Sequence, residues 1–396
     1  MNYLSGRALV VAMCLGQFGS LLPHVVVPAV MAEHLMPLWG LNGTEAGLMA
    51  GAYAFGYMLA VPVLTTLTDR IDARLVLLTG SCLSALATAA FGLFADGLWS
   101  ATALWGLAGV GFAGAYMPGL KALTDRLTAH DMSRSVTAYT ASFSVGVGLS
   151  FLLSQLAAEY YGWRNAFLIT SLGPLVMIAV CLALAAHRPA PPQGKLLDFR
   201  PVLSNRAALG YILGYGAHCF ELYGMRTWIV AFWTFVVARN ADAPIGPVAL
   251  SFLWTVLAMP SSILGNEAAL RFGRHRAIAA VMIASGAVAV AIGLSTGFSV
   301  WLLLTLILIY GVTIPADSGA LTSGMAASAV PANRGATMAL HSTVGFGLSA
   351  AGAWAAGVAL DIGGGPATAS GWLTAFAVLA AGILLGPVAL WWSRRA

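Results

Sequence analysis

Long apolar runs, broken only by short polar stretches, follow one another along almost the whole chain. Each run is about 20 residues or more, which as a helix rising 1.5 Å per residue crosses the roughly 30 Å hydrocarbon core of a bilayer. Runs at 7–32, 45–67, 75–95, 99–122, 136–158, 165–186, 207–237, 246–269, 277–296, 299–325, 335–358 and 371–392 predict twelve such helices. Composition decides between a lipid and a water environment. Charged residues make up 8% of the 396 and hydrophobic ones 59%, whereas a soluble surface needs about a quarter charged. The expected fold is therefore an all-α integral membrane protein with lipid as its main neighbour. Internal Gly and Pro do not count against helices in that setting.

The net charge of +5 does not indicate nucleic acid, because the basic residues are dispersed among short loops. Placing the N-terminus in the cytoplasm puts Arg7, Arg70, Arg74, Lys121, Arg126, Arg134, Arg188, Lys195, Arg200, Arg206, Arg271, Arg274, Arg276, Arg334, Arg394 and Arg395 on that side. Only Arg164 and Arg239 fall opposite, and Arg226 lies within a span. This bias predicts an even number of spans with both termini cytoplasmic; the expected location is a plasma membrane of the bacterial inner-membrane type. The first apolar run lacks a small-residue cleavage site and reads as a span rather than a removed signal. Cys14, Cys82, Cys181 and Cys219 sit inside apolar runs with no metal or redox spacing.

Internal similarity divides the chain. Gly162-Trp-Arg-Asn-Ala-Phe167 recurs as Gly371-Trp-Leu-Thr-Ala-Phe376, Asp69–Arg74 has a counterpart at Leu270–His275, Arg134 matches Arg334, and Ser5–Ala8 matches Ser204–Ala207. All four offsets are about 200 residues. The expected organisation is two six-helix bundles, 1–186 and 207–396, joined by a cytoplasmic connector at 187–206. Parallel repeats of this kind place a substrate site at their interface, near the membrane midplane.

With these features the sequence resembles the major facilitator superfamily over essentially its whole length. The family's signature loop after the second helix, G-x-L-x-D-R-x-G-R-[RK], is met by Leu67, Asp69, Arg70 and Arg74 in Thr65-Thr-Leu-Thr-Asp-Arg-Ile-Asp-Ala-Arg74, without its glycines. The second copy keeps Arg271, Gly273 and Arg274 but has Leu270 in place of the acid. The resemblance implies that Asp69, Arg70, Arg74, Arg271 and Arg274 act in gating, holding the inner helix ends together when the outside is open. It also implies that helices 1, 4, 7 and 10 line the cavity. Two patterns of proton-linked members are absent: Trp105 stands where many carry an arginine, and Gly146-Val-Gly148-Leu-Ser150 has no antiporter proline.

Chemistry concentrates in the seventh helix, where His218, Glu221 and Arg226 interrupt an apolar segment. An ionisable group at the centre of a span costs roughly 2.5–3.5 kcal/mol on insertion scales, so these three must face protein or water. At about 100° per residue they fall within an arc of roughly 140°, and their depth is close to that of His24 in the first helix. Arg226 is the expected ligand of an anionic substrate, with His24, His218, Tyr223 and Trp228 as further substrate contacts. Glu221 is the expected carrier of a coupling proton, its protonation relieving competition for Arg226. Asp317, past Pro315 in the tenth helix, lies too deep to pair with Arg226 and reads as an inner-gate residue. The histidines lack an H-x-x-x-H arrangement, so no metal is expected, and no nucleotide motif appears, so no cofactor is expected either.

The resulting expectation is a monomeric secondary transporter, not an enzyme, that moves a small anionic metabolite such as a carboxylate or inorganic anion with protons. Export of drugs or amphipathic metabolites is the first alternative. A facilitator-fold assembly factor or sensor that no longer transports is the second.

Overall fold

The computed structural model describes residues 4–127, 132–189, 198–240, 242–330 and 333–394. Lys195 and Arg395, counted above among the basic residues, lie outside the described residues, as does the middle of the connector, 190–197. Among the described residues, twelve helical spans follow in order: α1 (Gly6–Leu21, then Val26–Trp39), α2 (Gly43–Leu67), α3 (Ala73–Phe94), α4 (Leu98–Thr124), α5 (Met132–Tyr161) and α6 (Trp163–Ala183). The second set is α7 (Arg206–Arg239), α8 (Pro247–Phe272), α9 (Arg274–Leu294), α10 (Val300–Ser328), α11 (Arg334–Ile362) and α12 (Ala369–Arg394). Ten of these are individually long and apolar enough to cross a membrane, and the bent α1 makes an eleventh. The remaining one is α7, 34 residues long and carrying the buried polar groups noted above. The face bearing the basic loops is called inner below.

Besides one-residue breaks at Leu172 in α6 and Leu257 in α8, two spans are interrupted where the sequence reads continuous. Helix α1 stops at Leu21 and resumes at Val26 with a 46° bend. Pro23 has no N–H to continue the ladder, and Ser150 of α5 repairs the opening. Its hydroxyl donates to Leu22 O (2.6 Å) and accepts from Val25 N–H (3.2 Å). A polar backbone group left unpaired there would cost about 1–3 kcal/mol, so this single serine permits the bend that carries His24. The second half of α1 ends at Gly40, whose left-handed φ of 64° suits glycine. Helix α10 tightens to a 3-10 turn at Ile314–Asp317, around Pro315. Gly265 of α8 lets that turn approach, since a Cβ there would collide with the Ala316 carbonyl.

The two halves meet across their outer portions. Helices α2 and α11 pack through small residues: a Cβ at Gly43 would lie 2.7 Å from Gly357 O, one at Gly47 2.7 Å from Ala353 O, and one at Gly51 2.9 Å from Ala350 O. At the outer tip, Asp361 of α11 accepts hydrogen bonds from the Gly43 and Thr44 amides (both 2.7 Å) and from the Thr44 hydroxyl (2.6 Å). It thus satisfies free N–H groups at the positive end of α2, a favourable place for a carboxylate. Gln155 of α5 donates to Ser251 of α8 (2.9 Å), and Thr234 of α7 donates to Glu33 of α1 (2.9 Å). Nearer the middle, Tyr57 and Phe346 stack at 3.7 Å. At the inner end of α2, Asp69 and Arg70 are exposed. The two halves are therefore closed against each other on the outer side.

Candidate functional site

Below the outer closure lies a cavity bounded by both halves. His24 on the bend of α1, Tyr53 of α2 and Trp105 of α4 line it from the first half; Tyr223 and Arg226 of α7 and Ser349 of α11 line it from the second. Its free space for a water centre is about 20 Å³, enough for one or two waters, so admitting a ring-sized molecule requires the walls to part. The Arg226 guanidinium stacks over the Tyr223 ring at 4.7 Å. His24 Nδ1 lies 3.4 Å from the Tyr53 hydroxyl, and its ring is 6.3 Å from that of Tyr223. The Tyr53 and Trp105 rings are in tilted contact, their centroids 4.6 Å apart. The first half thus presents an aromatic wall.

Four nitrogens around this cavity are buried without a hydrogen-bond partner: Arg226 Nε and Nη1, His24 Nε2 and Trp105 Nε1. All but His24 Nε2 can only donate. Arg226 is 6% exposed and forms no ion pair among the described residues. A desolvated guanidinium with free donors, stacked on one aromatic ring and facing others, can bind a carboxylate or similar planar anion bidentately.

The other residues expected at the site are placed elsewhere. Trp228 does not reach the cavity; its indole N–H donates to Ala353 O (3.0 Å), and it anchors α7 to α11. Glu221 does not compete for Arg226. Five positions apart on one helix, the two point in different directions, and Glu221 accepts from Ser285 of α9 (2.9 Å) and Tyr310 of α10 (3.0 Å), both on Oε1. Its Oε2 is buried and unpartnered. His218 and Asp317 form a pair of their own, Nδ1 to Oδ1 2.6 Å, with side chains 2% and 1% exposed. Asp317 is thus held inside the second half rather than between the halves at the inner gate. Tyr215 is stacked between His218 (5.6 Å) and His341 (3.9 Å). Helices α2 and α11 line the cavity in addition to α1, α4 and α7, while α10 lies one layer behind it, supplying Tyr310 and Asp317.

At the inner face the signature loop is organised by Asp72 rather than by Asp69. Asp72 accepts from Arg126 at 2.9 and 3.0 Å, from the His187 amide at 2.8 Å and from the Arg74 amide at 2.9 Å. Burial pulls its carboxyl upward, but the Arg126 side chain and the two amides outweigh that and hold it below the ordinary carboxylate range. Arg74 donates to Leu184 O (2.8 Å), so this cluster ties the inner ends of α3, α4 and α6 within one half. In the second half Arg271 is exposed and Arg274 half-buried, and the neighbouring His275 approaches Tyr211 (3.4 Å).

Ser150, Asp361, Ser285 and Tyr310 carry no signal of their roles in the sequence. The first and last two are ordinary polar residues whose importance depends on which helix faces them. Asp361 reads in sequence as one more loop acid.

Comparison with known proteins places this geometry. Among curated proteins, similarity is found to the gallate transporter of Pseudomonas putida (29% identity over 39% of this chain and 34% of the relative). The niacin transporter NiaP of Acinetobacter baylyi matches at 26% identity, over 39% of this chain and 35% of the relative. Spinster homolog 1 of Bos taurus matches at 23% identity, over 57% and 45%. The matched stretches thus span less than half the length of each relative. Among solved structures, a bacterial homologue of the human lysosomal transporter Spinster, inward-facing and unoccupied, superposes with a TM-score of 0.74 at 17% identity, covering 97% of this chain and 94% of that one. A single-residue mutant of the nucleoside transporter NupG gives 0.74 at 13% identity, covering 97% and 99%. Both show the same fold. The family model of the Major Facilitator Superfamily matches residues 9–353, nearly the whole chain, and the chain belongs to that superfamily.

Proposed function

We propose that this protein is a secondary transporter that carries a small carboxylate anion together with protons, exposing one cavity to the two sides of the membrane in turn. The observation that carries the reading is Arg226, a buried guanidinium with unpartnered donors in a cavity between the halves. A permanent structural arginine would be expected to hold an acidic partner, because an isolated buried charge is costly. Here the missing partner is the substrate. Tyr53, Trp105 and Tyr223 supply ring faces around it, which favours an anion attached to a flat, unsaturated body. Two relatives named for gallate and niacin, both aromatic carboxylic acids, support the same class. Glu221, buried with one free carboxylate oxygen, supplies a protonatable group behind the site. It acts through the charge balance of the core and not by pairing with Arg226.

The halves 1–186 and 207–396 would rock as units about the cavity in a bacterial inner membrane, the basic face cytoplasmic and the protein monomeric. The test is ligand-dependent thermal stabilisation of the purified protein by gallate, nicotinate and 4-hydroxybenzoate, against nicotinamide, inorganic phosphate and an amphipathic cation. The carboxylates should raise the melting temperature, and Arg226→Ala should abolish the rise while leaving the unliganded protein folded. Stabilisation by the neutral or cationic compounds alone would refute the anion assignment and favour export of amphipathic compounds. No stabilisation by any of them in a folded protein would favour a sensor or assembly role.

A further inference from the structure

The buried ionisable groups allow a charge count that goes beyond naming one proton carrier. Among the described residues, the charged or titratable side chains counted as buried polar groups are Arg226, Glu221, Asp317, His24, His218 and His341. His24 shares its cavity with the Arg226 cation, and His341 is buried with Nδ1 unpartnered and no acid paired to it among the described residues, so neither is placed to hold a further positive charge. That leaves one fixed cation and two acids in the buried core. One acid is Glu221, held by Ser285 and Tyr310 with Oε2 free. The other is the His218–Asp317 pair, which carries no net charge with one proton on it and one negative charge without. His218 and Glu221 are three residues apart on α7, hence neighbours on one face.

Other groups facing this region add no fixed charge. On α7 they are Tyr215 and Cys219, on α9 Ser285, on α10 Tyr310 and on α11 His341. Helix α8 contributes Ser261 and Gly265. A low-dielectric core resists net charge. With the cavity empty, neutrality requires the two acids to share one proton against Arg226. With a monovalent anion on Arg226, it requires both acids to be protonated.

Resting on the proposal that Arg226 binds the anion, we infer that Glu221 and the His218–Asp317 pair are two interchangeable acid centres that hold one proton in the empty carrier and two in the loaded one. Transport is then electroneutral, at one proton per monovalent anion, and either acid can supply the titrating site. The assay is accumulation of radiolabelled 4-hydroxybenzoate in proteoliposomes of the full chain, under a proton gradient or a potassium-valinomycin potential. Counterflow of the same compound, which needs no net proton movement, reports that each variant is folded and moves substrate.

The wild type should accumulate about tenfold per pH unit, as one coupled proton requires, and not about a hundredfold as two would. A membrane potential should leave its accumulation unchanged. Glu221→Gln and Asp317→Asn should each be slower yet still reach about tenfold accumulation per pH unit. The double variant should retain counterflow, lose accumulation driven by the proton gradient and become sensitive to potential. A potential-dependent wild type would overturn the count on the native protein alone, whatever the variants do. So would a single variant that keeps counterflow but loses accumulation. Uptake that persists unchanged in Arg226→Ala overturns it differently, by removing the anion site itself.

Discussion

Replacing Asp361 with alanine should open the outer side of the protein. In the closed arrangement this carboxylate accepts three hydrogen bonds at 2.6–2.7 Å from Gly43 and Thr44, at the start of α2. Two are from backbone N–H groups that have no partner inside their own helix. When the halves part, water replaces all three, so the relevant quantity is the net difference between protein and water partners. At about 1 kcal/mol each, discounted because the site is only partly buried, the clamp contributes about 2–3 kcal/mol to outer closure. Its loss shifts the balance of closed and open states by about 30- to 150-fold. A carrier that is about 99% closed would then hold roughly equal populations. Asp361→Asn, which keeps acceptor capacity but loses the charge, should fall between the two. Spin labels at Tyr161 and Asp242, on exposed outer positions of opposite halves, in a background lacking the four native cysteines, report the separation by pulsed dipolar spectroscopy. Alanine should add or enlarge a long-distance population. An unchanged distance distribution in a folded Asp361→Ala protein would show that the small-residue packing of α2 on α11 suffices and that the carboxylate is incidental.

Arg226→Lys keeps the charge but loses the planar two-pronged donor, so carboxylate affinity measured by calorimetry should fall about tenfold or more. Ser150→Ala should lower the melting temperature, because Leu22 O and Val25 N–H at the bend lose their partner, a cost of about 1–3 kcal/mol; Thr140→Ala, at an exposed helical hydroxyl, is the matched control. Gly109→Ala should destabilise more, since its Cβ would collide with the Tyr53 carbonyl and push α4 away from α2. The Asp72 clamp depends on pH with a definite sign. Its carboxyl is depressed in the folded protein, so its contribution is present above the ordinary carboxylate range and disappears as pH falls through the folded value. Arg126→Met should therefore lower stability at neutral pH, and the gap from wild type should narrow under acid.

The sequence makes the scaffold legible because lipid imposes one solution on every span. Twelve runs of sufficient length, basic loops on one side and a repeat of about 200 residues determine which helices exist and how they are arranged. Even the meeting of His24 with Tyr223 and Arg226 follows from that repeat, since equivalent depths in α1 and α7 become neighbours across the pseudo-symmetry axis. Pairing is not legible in the same way. Depth along a helix is known to about a turn, but azimuth depends on which neighbour packs closest, and Trp228 turns to α11 on that account.

The same limit explains why Glu221 and Arg226 look like partners in the sequence and are not. On one helix, two opposite charges five positions apart invite a pairing that helical geometry resists, and the residues that decide the matter, Ser285 and Tyr310, carry no charge to draw attention. The separation has a functional consequence. Had the two been paired, an incoming anion would have had to break a buried ion pair before binding Arg226. With Glu221 Oε1 held by two hydroxyls and Asp317 paired with His218, the guanidinium stays available, and in the proposed cycle protons influence it through the charge of the surrounding core. A carrier built this way should bind its anion even when Glu221 is neutralised, whereas a directly paired one should bind far more tightly once the competitor is gone. Calorimetry of 4-hydroxybenzoate on Glu221→Gln at one pH separates the two: an affinity within about threefold of wild type, less than the tenfold that about 1.4 kcal/mol would produce, fits the separated arrangement. A gain of about a hundredfold or more would mean that Glu221 reaches Arg226 during the transport cycle after all.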